Sequence, residues 1–384
     1  MKNTPAASRY FLGGRDVTVF FIILATCIFV MVITLSPNEP LDSLPEMHSQ
    51  SRTEIANLDS KKSDFFPLER FYPEDGNCLP NYFLHGDSVP DKRAYSDGVI
   101  GFQHLNKAGG MTTRACIRDF FTGPPYKMNY LISSPQRSEL EAHMAFGSVS
   151  TDDIDIFHGD YFFGVCQKLK QGKLNRSCSY FTVLRDPYDR TISSYLYCQK
   201  ANLDQTCGPF RVSDLTIEEW AILQGSYFFL QLLQKYEYCK MGDPSLNEFA
   251  DILSENLPQT SYFGFPHHCW YLEKIILNKT LTLDGRRKLL DYLVSNLENI
   301  FAVIGLSDDF RSTFKLLEKV YKLPFKKCIK QSAKNLGPQS KNKTLYSSLK
   351  ERLLRNPVVT DALKEDVELF RKGKEIFDKQ MKAL

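Results

Sequence analysis

The sequence shows no strong excess of either charge. Its 384 residues carry 48 Lys and Arg against 45 Asp and Glu, a formal net charge of +3. That balance excludes nucleic-acid binding through bulk charge and leaves any anionic partner to local patches. No repeat and no long low-complexity tract is present, so a solenoid is excluded. No two of the 10 cysteines stand at the C-x-x-C spacing of a zinc site. The Gly-Lys-Ser/Thr triplet of the common nucleotide-triphosphate loop is missing too. What the chain does have is apolar material. A hydrophobic fraction of 43%, with 28 Phe and 19 Tyr, supplies a core for one large domain or two ordinary ones.

Val17 to Leu35 reads VTVFFIILATCIFVMVITL and holds no charged residue. At about 1.5 Å per residue a helix of this length nearly matches a hydrocarbon core of roughly 30 Å. Lys2, Arg9 and Arg15 precede the run, and Glu39, Asp42 and Glu46 follow it. The positive flank stays in the cytosol, which leaves the C-terminal bulk in the lumen. A cleaved signal peptide would want a shorter apolar region and a small-residue cleavage site, and SPNEP is a poor one. The expected plan is a tail at 1–16, an anchor at 17–35, a stem at 36–95 and one catalytic domain at 96–384. The stem is rich in Pro, Ser and acidic residues, with Phe65 to Tyr95 more aromatic and able to pack on the domain.

A lumenal location fits the cysteines. Cys27 lies in the apolar run, and nine others are disulfide candidates of open connectivity: Cys78, Cys116, Cys166, Cys178, Cys198, Cys207, Cys239, Cys269 and Cys328. An odd count leaves at least one thiol free or paired between chains, which admits a homo-oligomer. Sequons at Asn175, Asn278 and Asn342 point the same way.

Val99 to Leu105 has the length and composition of a strand, and Thr112 to Phe121 follows it with a helical pattern. Ser179 to Arg185 is a second strand, and Pro187 opens a second helix where the first turn tolerates it. A short strand plus loop is expected within Asp153–Val165. Later helices are expected at 217–238, 284–297, 308–321 and 360–380. Such alternation predicts an α/β fold with a parallel sheet, whose ligands bind at the carboxyl ends of the strands.

Two turns at that edge carry chemistry. In HLNKAGGMTTRACIRDFF, Gly109 and Gly110 let backbone amides approach an anion, Thr112 and Thr113 sit at a helix start, and Lys107 adds a full charge. In RDPYDRTISSYLY, Arg185 ends a strand and can fork onto a phosphate. Asp186 can cap the helix, Ser193 lies eight residues beyond Arg185, and Arg190 reads locally as a surface charge. Each turn alone is also compatible with an ordinary strand-to-helix connection.

The pair resembles the membrane-bound glycan sulfotransferases of the Golgi, of the heparan sulfate 2-O, 6-O and uronyl type. Lys107-Ala-Gly-Gly-Met-Thr112-Thr113 is similar to that family's first motif, and Arg185-Asp-Pro-Tyr-Asp-Arg190-Thr-Ile-Ser193 to its second. Phe301 to Tyr321 is similar to a late segment of the family. The resemblance implies a P-loop-like central parallel sheet flanked by helices and 3′-phosphoadenosine 5′-phosphosulfate as sulfuryl donor. Lys107, Gly109, Gly110, Thr112 and Thr113 would hold its 5′-phosphosulfate, and Arg185 and Ser193 its 3′-phosphate. Lys107 would also act in catalysis by stabilising the leaving oxygen, with no metal expected. A base is needed for the acceptor hydroxyl. The resemblance points to His158, with Asp160 orienting it or titrating itself. Ala108 and Met111 depart from the family pattern and remove two side-chain donors. A loop near Lys334 and Asn335 would help cover the nucleotide. The implied location is the Golgi membrane, single-pass, with the catalytic domain lumenal.

An acidic polysaccharide is the expected acceptor, met by basic clusters at Lys168–Arg176 and Lys326–Lys334, which are also compatible with solvated faces. His104 fits a packing role at a strand end. His267, His268, Cys269 and Trp270 form a further cluster, in which the Trp270 ring could stack on a sugar. Two alternatives stay open. A Golgi glycosyltransferase would use a metal held by Asp153 and Asp155. A catalytically inactive homologue would keep the fold and bind glycan.

Overall fold

The computed structural model describes residues 78–120, 129–132, 155–159, 166, 176–201, 207, 212–233, 277, 281–329 and 343–384. The apolar run at 17–35, the three sequon asparagines, Asp153, Asp160, His267–Trp270 and Lys334–Asn335 lie outside the described residues. Among the described residues no helix is long and apolar enough to cross a membrane.

Among the described residues five parallel strands form one sheet in the order β2-β3-β1-β4-β5: β1 Val99–Gln103, β2 Asn129–Ile132, β3 Ile156–Gly159, β4 Cys178–Leu184 and β5 Phe301–Leu306. Every residue of β1, β4 and β5 is buried. Uninterrupted apolar strands of this kind are what a sheet covered on both faces requires. The expected α/β class is therefore present, with helices on either side.

In chain order the helices among the described residues are α1 Arg93–Asp97, α2 Gly110–Phe120, α3 Pro187–Cys198, α4 Ile217–Gln224, α5 Tyr227–Leu233, α6 Leu283–Ile300, α7 Phe310–Tyr321, α8 Lys343–Arg355, α9 Pro357–Ala362 and α10 Lys364–Ala383. Local chemistry fixes their starts. Asp186 caps α3 by accepting from Asp189 N at 3.0 Å, with Pro187 in the first turn. Thr216 and Glu219 form a capping box on α4. Asp309 caps α7 by accepting from Ser312 N, and the buried Thr313, Phe314, Leu317, Val320 and Tyr321 give α7 one apolar face.

Phe181 ties the sheet to Tyr321 of α7 and to Phe325 in the turn beyond it, with ring centroids 5.8 and 6.4 Å away. On the opposite face Gly373 of α10 lets the helix settle on Leu184. The outer edge of β5 is closed by side chains. Gln380 donates to Ile304 O at 2.7 Å and accepts from Ile304 N at 3.1 Å, and Asn81 donates to Phe301 O at 3.2 Å. These amides occupy ladder positions that an exposed edge would offer to another chain. Leu79 N also donates to Cys178 O, so the chain packs on the sheet well before Ser96.

Among the described residues three cysteine pairs stand at disulfide distance, with Cα separations of 5.8 Å for Cys116 and Cys328, 5.5 Å for Cys166 and Cys178, and 5.4 Å for Cys198 and Cys207. The first joins α2 to the turn after α7, across 212 residues.

Candidate functional site

The strand order reverses at β1 and β4. The chain leaves β1 toward β3 and β2, and leaves β4 toward β5. Adjacent strands whose connections diverge open a crevice at their carboxyl ends, the usual ligand position in such sheets. Both turns singled out in the sequence rise from that crevice. β1 pairs with β4 in parallel register, Gln103 beside Thr182, so the residues that follow each strand emerge side by side.

The turn after β1 is tightly constrained. Lys107 takes φ +66, in the left-handed region that a residue with a Cβ rarely occupies, and Gly109 takes φ +85. A Cβ at Gly110 would fall on the His104 imidazole, and one at Gly109 on the Phe310 ring at the start of α7. Both glycines are therefore required by close approach, and strain of about 1–3 kcal/mol at Lys107 is held in place by that packing. The turn ends in the N-terminus of α2, the positive end of its dipole.

Arg185 joins this turn to the next. Its Nη1 donates to Lys107 O at 2.8 Å and its Nη2 to Tyr346 Oη at 3.2 Å. Tyr346, on α8, donates in turn to Asp189 O at 2.8 Å. The Lys107 ammonium lies 3.7 Å from the ring centroid of Tyr197 on α3, a cation–π contact. Lys350 of α8 pairs with Asp186 at 3.2 Å and Asp189 at 2.8 Å. Burial raises the Asp189 carboxyl pKa even with that ammonium alongside.

Ser193 is buried in the second turn of α3 and shares a helix face with Arg190 and Tyr197. Thr112 and Thr113 are buried, and the Thr113 hydroxyl donates back to Gly109 O at 3.4 Å, within its own helix. Met111 points outward, 76% exposed. His158 is buried one residue before the end of β3, in register with Phe102 of β1, and so stands at the same edge of the sheet. Phe102 also contacts His104 at 5.6 Å between ring centroids.

Arg190 departs from the local expectation of a surface charge. It is 1% exposed, its guanidinium carbon is 4.6 Å from the Tyr227 ring centroid, and its Nε and Nη1 meet no hydrogen-bond acceptor among the described residues. Burial lowers its pKa, with Asp366 pulling the other way.

No family model and no curated protein sequence matches the chain.

The site residues that local sequence does not reveal are Asn106, Tyr227, Tyr346 and Lys350. Asn106 donates to Tyr227 Oη at 3.0 Å. Tyr346 meets Arg185 across 161 residues, and no pattern near either one signals the other. Asp155, of the metal-dependent alternative, lies before the amino end of β3, at the edge away from both turns, where it pairs with Arg176 at 3.0 Å. Among the described residues no three His, Cys, Asp or Glu gather in a metal-binding group.

Proposed function

We propose that this chain transfers a sulfuryl group from 3′-phosphoadenosine 5′-phosphosulfate to a hydroxyl of a glycan, an acidic polysaccharide of glycosaminoglycan type. One observation carries the reading: the guanidinium of Arg185 bonds directly to the backbone of Lys107. Two cationic turns that touch suit a nucleotide with a phosphate at each end of its ribose. A lone anion would need only one of them.

The donor supplies a sulfuryl group bound through oxygen to its 5′-phosphate, and in-line displacement breaks that sulfur–oxygen bond as the acceptor oxygen bonds to sulfur. Lys107 neutralises the charge that builds on the departing phosphate oxygen, aided by the N-terminus of α2. Arg185 and Ser193 hold the 3′-phosphate and fix the donor's direction. His158 accepts the proton of the attacking hydroxyl. Thr112 and the amides after Gly109 complete the 5′ side, while the Thr113 hydroxyl remains bonded to its own helix. Single-pass anchorage in the Golgi membrane through residues 17–35, with a lumenal catalytic domain, belongs to the same proposal.

The test is a transfer assay with radiolabelled donor on desulfated heparan, chondroitin and dermatan chains. Label is expected on at least one of them, and His158→Ala should abolish it while leaving donor affinity nearly intact. Label on none of them, or full turnover by His158→Ala, would contradict the assignment of reaction or base respectively.

A further inference from the structure

Beneath the two turns lies a short buttress. Tyr227, the first residue of α5, is 2% exposed. Its phenol oxygen accepts from Asn106, the residue immediately before Lys107, at 3.0 Å. Its ring carries the buried Arg190 guanidinium at 4.6 Å. Arg190 belongs to the other turn's helix, one turn on from Asp186, to which its backbone N–H is bonded at 2.8 Å. One side chain therefore touches both anion-facing turns, one with its hydroxyl and the other with its ring.

The rest of α5 is held rigidly in place. Gln231 donates to His104 O at 2.8 Å, a second tie to the first turn. The Asp366 carboxylate accepts from Phe228 N at 3.1 Å and Phe229 N at 2.8 Å, which fixes the start of the helix to α10. Tyr227 thus has little freedom to follow either turn alone. A displacement of Asn106 toward or away from Arg190 must break its bond to Tyr227 or lift the guanidinium from the ring. In a packed interior neither happens gradually.

We infer that Tyr227 is a positioning residue that sets the separation of the Lys107 and Arg185 turns, and so selects ligands with two phosphates at a fixed span over ligands with one. The inference rests on the two-turn donor reading above. Loss of the hydroxyl in Tyr227→Phe leaves the Asn106 amide buried without its acceptor, and the turn that carries Lys107 shifts to rebond it. A ligand that spans both turns feels that shift. A ligand held by one turn does not.

The experiment titrates the full chain and Tyr227→Phe with adenosine 3′,5′-bisphosphate, and follows adenosine 5′-monophosphate by its displacement of the bisphosphate. The wild-type chain should prefer the bisphosphate, and Tyr227→Phe should reduce that preference about 10-fold, the size of one buried hydrogen bond. Affinity for the monophosphate should stay within about twofold. Asn106→Ala should reproduce the selective loss, and the double variant should add nothing to it, since both remove the same bond. Equal weakening of both ligands marks Tyr227 as merely structural and overturns the inference, as does an unchanged preference. A wild-type chain with no preference for the bisphosphate overturns the donor reading itself, and the coupling falls with it.

Discussion

Arg185 Nη1 donates a hydrogen bond to the carbonyl of Lys107 at 2.8 Å, across 78 residues of chain. Its Nη2 donates to Tyr346 of α8, so three separate stretches of sequence meet at one guanidinium. A lysine in its place offers a point charge on a flexible stem instead of a planar fork. Arg185→Lys should weaken adenosine 3′,5′-bisphosphate binding by about 10- to 100-fold, the loss of one or two charge-assisted hydrogen bonds. Calorimetric titration reads this directly.

The glycine pair makes a separate prediction about stability. Gly110→Ala drives a methyl group into the His104 ring, and the neighbouring backbone at Gly109 has no room to yield because Phe310 covers it. The expected loss is about 1–3 kcal/mol, in the range of an overpacked core. Denaturant midpoints for the variant and wild type check it. Met111→Ser, at a side chain 76% exposed, should stay within about 0.5 kcal/mol.

Lys350 holds two carboxylates in check. Its ammonium pairs with Asp186 and Asp189 on the turn that also presents Arg185. Without it, two negative charges face the proposed position of the 3′-phosphate. Lys350→Met should therefore weaken bisphosphate binding about 10-fold, with a smaller loss at high salt where the repulsion is screened. Titrations at low and high ionic strength separate this from a plain packing defect, which salt would not relieve.

Asp366 gives a pH dependence. Burial pushes its carboxyl up to about 6 from an ordinary 3.8, outweighing the pull of Arg190 and of the Phe228 and Phe229 amides. Between those two values the native chain retains a proton that the unfolded chain has released, so this group's contribution to stability falls as pH rises through the window. Above about pH 6 the loss is constant, at roughly 3 kcal/mol. Asp366→Asn lacks that titration. Relative to wild type it should gain stability as pH rises from about 4 to about 6, and hold that gain above, as read from urea midpoints.

Much of this arrangement was legible in the sequence because it depends on local signals. The strands at Val99 and Ser179 announce themselves by composition, and each is followed at once by its turn. Two parallel neighbours then have to present Lys107 and Arg185 together. The amphipathic pattern of α7 and the Pro187 start of α3 are equally local. The expected helix at 217–238 is split in two among its described residues, because Gly225 takes φ +54 and the Ser226 hydroxyl donates to Ala362 O and Glu365. Those partners lie well over a hundred residues away. Arg190 looked like a surface charge because nothing in YDRTISS indicates that Tyr227 will cover it. Tyr346 and Lys350 were hidden for the same reason, since their roles exist only once α8 packs on α3.

In the proposed function the Lys107 and Arg185 turns grip opposite ends of one doubly phosphorylated adenosine. The most direct test titrates adenosine 3′,5′-bisphosphate into the wild-type chain, Lys107→Ala and Arg185→Ala. Wild type should bind one nucleotide per chain, and each variant should lose about 10-fold or more in affinity. No binding by wild type, or full affinity retained when either residue is removed, would contradict it.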